Sequence, residues 1–121
     1  MLLISKFTRW LLLIALIVIG IGSLIPSSGI PANASDKLLH LIGYAGLAFL
    51  IGTGFPNWPF WKVIGLASLY GILIEITQGL LPTGRSASSL DAAANFLGAV
   101  IGTLLSLITQ RILRSVFKPD Q

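Results

Sequence analysis

Four long apolar runs, separated by short segments rich in proline, glycine and serine, account for nearly the whole chain. They cover about residues 7–25, 36–54, 60–81 and 90–112. Each is roughly 19 to 23 residues long, which suits a helix rising about 1.5 Å per residue across a bilayer core. Strict apolar–polar alternation is missing from all four, so the pattern favours helices over membrane strands. Pro26, Gly29 and Pro31 end the first run, Pro56 and Pro59 separate the second from the third, and Pro82 and Gly84 close the third. Ser35 is the expected N-cap of the second helix, with Asp36 in its first turn. Ser88 or Ser89 is the expected cap of the fourth, with Asp91 in its first turn, where the helix dipole favours an anion. The expected fold is all-α: a polytopic membrane protein built as a four-transmembrane-helix up-down bundle, one domain over residues 1–121.

Composition strengthens this reading. Of the 121 residues, 55% are hydrophobic and 10% charged, and mean hydropathy is +0.91. Soluble domains carry about 25% charged residues. The net charge of +4 comes from basic residues scattered singly, without the basic stripe that nucleic-acid binding requires. The absence of cysteine excludes disulfides, thiolate metal ligands and a cysteine nucleophile. Lys6, Arg9, Lys62, Arg111, Arg114 and Lys118 fall on one side of the bundle, Lys37 and Arg85 on the other. The positive-inside rule then places both termini in the cytoplasm, and the loops at 26–35 and 82–89 face the exterior or periplasm. A competing reading takes the first run as a signal peptide cleaved after Ala32-Asn33-Ala34. The length of the apolar stretch and the prolines before that site favour a retained span.

The polar residues inside the runs are the candidate chemistry. Asp36, His40 and Tyr44 recur every four residues on one face of the second helix, and His40 is the sole histidine. Counted from the helix ends, His40, Glu75 and Asn95 all lie roughly 7–10 Å below the same rim. Asp36, Lys37, Arg85 and Asp91 stand at that rim, and no comparable ionisable groups occupy the other half. On the third helix Gly65, Ser68, Gly71 or Ile72, Glu75 and Gln78 form a stripe. On the fourth, Asp91, Asn95, Gly98 and Gly102 form another. Gly98-x-x-x-Gly102 permits close helix approach in lipid and leaves an oligomer through that face possible. Ionisable groups at such depth mark functional sites by default. Each also has a structural reading: Asp36 and Asp91 as caps, Asn95 as an interhelical hydrogen bond, Lys37 as an interfacial anchor, Tyr44 as packing.

The ordered set Asp36-Lys37-x-x-His40-x-x-x-Tyr44, Glu75-x-x-Gln78, Pro82-x-Gly84-Arg85 and Asp91-x-x-x-Asn95-x-x-Gly98-x-x-x-Gly102 resembles the VanZ-like family of small bacterial membrane proteins. The resemblance covers about residues 35 to 105. The family takes its name from a member linked to resistance to the glycopeptide teicoplanin. The resemblance implies a bacterial inner-membrane fold and a site rather than a reaction, and it includes a leading span, against cleavage after Ala34.

The residues themselves point to binding or processing of an anionic headgroup. Lys37 and Arg85 suit a phosphate, two helix N-termini point to the same surface, and His40 and Glu75 are the candidate acid–base pair. Asp36, Tyr44, Gln78, Asp91 and Asn95 complete the expected ligand-binding set. The expected partners are membrane lipids or a lipid-linked envelope precursor, with no nucleic acid and no cofactor. The alternative is a non-catalytic membrane protein whose polar layer is an internal latch. A metal site drawn from His40, Glu75, Asp91 or Asp36 is an incomplete ligand set from sequence alone, so none is assigned. A serine hydrolase using Ser86, Ser88 or Ser89 lacks a nucleophile elbow. Polar groups confined to one half of the bundle offer no path for a transporter.

Overall fold

The computed structural model describes residues 1–26, 34–82, 84 and 86–118. Four α-helices follow in order: α1 (Leu2–Leu24), α2 (Ala34–Gly54), α3 (Phe60–Leu80) and α4 (Ser89–Val116). No strand occurs among the described residues. Each helix is long and apolar enough to cross a membrane, so the chain is a multi-pass membrane protein. Its lipid-facing surface is continuous with that reading: Leu13 and Ile17 on α1, Leu69 and Leu73 on α3, and Leu104 and Ile108 on α4 are all exposed. A surface of this kind is an aggregation liability in water and a requirement in lipid.

Helix ends differ from the apolar runs in an instructive way. α1 starts at Leu2 rather than near Phe7 because nothing in residues 2–6 breaks a helix. Ser5 and Thr8 return their hydroxyls to the backbone carbonyls of Leu2 (3.0 Å) and Ile4 (3.0 Å), a bond that hides a polar side chain inside a helix. α2 starts at Ala34, so Ser35 lies inside its first turn rather than before it. α4 continues to Val116, past Ile112, carrying Arg114 in its last turn. Hydropathy marks where lipid begins, whereas backbone hydrogen bonding continues until a breaker stops it.

α2 and α4 form the closest pair, and two glycines explain why. A Cβ at Gly98 would collide with the carbonyl of Leu41, and one at Gly102 with the carbonyl of Ala45. The small-residue stripe of α4 therefore lets its backbone rest directly on that of α2. The Gly98 and Gly102 positions thus pack against α2 within the chain. On α3 the inward stripe is Gly71, Glu75 and Gln78 together with Val63, Ala67 and Ile74. Gly65 and Ile72, expected on the same face, are exposed.

The core is built from Leu12, Tyr44, Leu47, Ala48, Ile51, Val63, Ala67 and Ala99. α1 is the least buried helix and is attached by polar clasps. Arg9 donates Nε–H to the Gly54 carbonyl at 2.8 Å and lies 4.5 Å from the centroid of the Phe55 ring. Tyr70 donates its hydroxyl to the Leu16 carbonyl at 2.6 Å, and Gln78 donates Nε2–H to the Ser23 carbonyl at 2.7 Å. At the Phe55 end, Gln110 is buried and donates Nε2–H to the Gly52 carbonyl at 2.9 Å. The acidic groups and His40 keep to the opposite end, whereas Arg9 and buried Gln110 show that polar groups as a class do not.

Candidate functional site

The site lies where the N-termini of α2 and α4 meet the C-terminus of α3. Its foundation is the cap of α4. Ser88 takes extended backbone geometry and its Oγ accepts the Asp91 N–H at 3.3 Å. The Ser88 N–H, pointing the other way, donates to Glu75 Oε2 at 3.0 Å. One residue thus ends the loop, caps α4 and anchors the α3 carboxyl beside Asp91. The cap is legible from sequence; its second role, as the partner of Glu75, is not, because a backbone amide carries no residue signature.

Two polar contacts then join α2 to α4. Lys37 Nζ pairs with Asp91 Oδ1 at 3.1 Å, with the lysine side chain 41% and the aspartate 13% exposed. His40 Nδ1 lies 2.9 Å from Asn95 Oδ1. An oxygen at that distance makes Nδ1 the N–H donor, and Nε2 is turned the opposite way. Nε2 stands 4.0 Å from Asp36 Oδ2 and 3.9 Å from Asp91 Oδ2, beyond hydrogen-bond length. Asp91 therefore divides its two oxygens, one to the Lys37 ammonium and one toward the histidine. The expected caps Asp36 and Asp91 are drawn into a cluster with His40, their ligating atoms all within 4.8 Å of one another.

Below this rim, Asn95 is buried between α2 and α3. A Cβ added at Gly71 would lie 3.0 Å from Asn95 Nδ2 and 3.0 Å from Tyr44 Cε1, so the missing side chain of Gly71 is what admits both. Tyr44 also faces Tyr70, ring centroids 6.4 Å apart. Neither Tyr70 nor Gly71's role as a cradle stands out in the sequence. Three buried polar atoms of this layer have no hydrogen-bond partner among the described residues: Tyr44 OH, Glu75 Oε1 and Asn95 Nδ2.

The expected site residues thus divide. Asp36, Lys37, His40, Asp91 and Asn95 come together on α2 and α4. Glu75 joins them through Ser88, and Tyr44 lies beneath, over Gly71. His40 and Glu75 make no hydrogen bond to each other, since His40 bonds Asn95 and Glu75 bonds Ser88. Gln78 turns away to clasp α1, which assigns it a packing duty. Arg85 lies outside the described residues.

No curated protein and no solved structure matches the chain. The family model VanZ/LLP1 matches residues 3–110, a span that holds all four helices' inward faces and every residue of the polar layer. On that match the chain belongs to the VanZ/LLP1 family.

Proposed function

We propose that the polar layer binds, or processes through His40 and Glu75, an anionic headgroup of a membrane lipid or lipid-linked envelope precursor. The reading places the protein in the bacterial inner membrane with both termini cytoplasmic and the layer facing the exterior or periplasm. The observation that carries it is that Tyr44 OH, Glu75 Oε1 and Asn95 Nδ2 have no hydrogen-bond partner among the described residues. A buried polar atom without a partner costs about 1–3 kcal/mol, and three in one layer are accounted for when a ligand or its water brings the missing partners. The Lys37 ammonium, half-exposed at the rim, and Arg85 supply the cations for a phosphate.

Native mass spectrometry in mild detergent tests binding: a lipid is expected to travel with the parent and to be lost from Lys37→Ala and Arg85→Ala. A glycopeptide susceptibility assay tests the envelope role. His40→Ala and Glu75→Ala are expected to abolish any protection while leaving membrane expression intact. Parent-like behaviour of both sinks the reading.

A second reading is favoured by one specific feature, the pair of contacts that tie α2 to α4, Lys37 to Asp91 and His40 to Asn95. In it the layer is a latch in a non-catalytic protein that alters envelope properties or serves partner proteins. The latch requires that His40→Ala and Glu75→Ala lower the melting temperature and the function together.

A further inference from the structure

The geometry points to a divalent-cation site formed by Asp36, His40 and Asp91. Three features of the cluster carry the inference. The first is the donor set: two carboxylate oxygens and one imidazole nitrogen, from two helices, within 4.8 Å of one another. An oxygen–nitrogen set of this kind suits zinc or manganese. The second is the state of His40. Its Nδ1 is held by Asn95 Oδ1 at 2.9 Å, and Nε2 faces carboxylate oxygens of Asp91 and Asp36 3.9 and 4.0 Å away. Nε2 and the two carboxylate oxygens thus converge as three donors that one cation can engage together. Fixing a ligand imidazole through its other nitrogen is how histidine is oriented on metals generally. At metal–ligand distances of about 2.0–2.2 Å, tetrahedral donors stand about 3.4 Å apart, so the observed separations need only small side-chain rotations.

The third feature comes from outside the cluster. Glu75, 5% exposed, has an oxygen with no hydrogen-bond partner among the described residues. Its other oxygen is held on the Ser88 amide that begins the turn containing Asp91. The Glu75 carboxyl is thereby held next to the cluster, beside Asp91. Lys37 occupies Oδ1 of Asp91 and leaves Oδ2 toward His40. Three protein donors leave a coordination position open for water or for an oxygen of a bound molecule, the arrangement in which a metal polarises what it holds. The cation site does not depend on the headgroup reading, and the metal can bind with no lipid present.

The test uses tag-free, chelator-stripped protein in detergent, labelled with ¹⁵N only in histidine, so that His40 gives the whole signal. Zinc chloride is titrated, with magnesium chloride as the comparison. The expected result is stoichiometric zinc binding, a coordination shift at Nε2, and an Nδ1 that stays protonated. Asp36→Asn, whose side chain is the more exposed of the two aspartates, and Asp91→Asn are each expected to weaken zinc about ten-fold or more, with helical content kept by circular dichroism. An Nε2 signal unmoved at millimolar zinc overturns the site. Parent-like zinc affinity in both aspartate variants also overturns it, as does a shift at Nδ1 instead of Nε2.

Discussion

Glu75 shows how a single residue can separate a latch from a working site. Its Oε2 accepts the Ser88 amide at 3.0 Å while Oε1 has no hydrogen-bond partner among the described residues. Glu75→Gln keeps an oxygen for Ser88, so melting temperature in detergent is expected to stay close to the parent's. Glu75→Ala strands a buried N–H and is expected to cost about 1–3 kcal/mol. If Glu75 acts only as glue, function follows stability and the glutamine variant works. If the free oxygen is used, the glutamine variant is stable and inactive. Asn95→Leu gives the matching test on α4. It removes the acceptor of His40 Nδ1 at similar size, and an expected loss of about 1–3 kcal/mol for the stranded imidazole N–H is measurable by the same melt. Lys37→Ala, by contrast, breaks an ion pair whose lysine is 41% exposed, and such pairs contribute at most about 1 kcal/mol. A large loss of headgroup binding with little change in melting temperature is the outcome expected there.

At the scale of the element, α2 and α4 are held together by absent atoms as much as by present ones. Gly98→Ala and Gly102→Ala each place a methyl against a carbonyl of α2, at Leu41 and Ala45. Backbone cannot yield as a side chain does, so each is expected to cost about 1–3 kcal/mol. Gly65 is the control. It is exposed on α3 and a Cβ there meets nothing within 4 Å, so Gly65→Ala is expected to leave stability unchanged or raise it by up to about 1 kcal/mol. The comparison also shows where sequence reading stops. That four helices exist, and that α4 needs a close neighbour, is legible in the apolar runs and in Gly98-x-x-x-Gly102. The identity of the neighbour is not, because a small-residue pattern records how near another backbone comes and not whose backbone it is. The polar layer is legible for a related reason. Depth follows from counting residues along a helix, so His40, Glu75 and Asn95 can be placed at one level before any contact is known. The rotation of each helix cannot be counted so easily. Hence Gln78 proves to serve α1, Gly65 turns outward, and the partners that are backbone groups, the Ser88 amide and the Ser23 carbonyl, stay hidden.

For the whole molecule, the arrangement of charge sets one question that the helices alone leave open: which end faces the cytoplasm. Exposed apolar side chains occur on all four helices, so burial cannot orient the bundle. The loops can. Lys62 sits 3.9 Å from the centroid of the Trp58 ring beside the stacked Phe55, and Arg9 and Arg114 reach the backbone of the same turn at Gly54 and Pro56. Aromatic rings and cations gathered at one level are the features that anchor a helix end at a headgroup region. With Lys6, Arg111 and Lys118 they make that end strongly basic, whereas the opposite rim answers its lysine with Asp91 and adds Asp36. The basic end is therefore expected in the cytoplasm, and the polar layer opens to the other side. The absence of cysteine makes this directly measurable. Ser86 and Asn57 are exposed at opposite ends, and neither takes part in the site contacts described. Ser86→Cys is expected to react with a membrane-impermeant maleimide in intact cells or spheroplasts, and Asn57→Cys only after the membrane is opened. The reverse pattern turns the molecule over. It would place the Asp36–His40–Asp91 cluster in the cytoplasm, where a headgroup would have to come from the inner leaflet and a precursor exposed only on the outer face is no longer within reach.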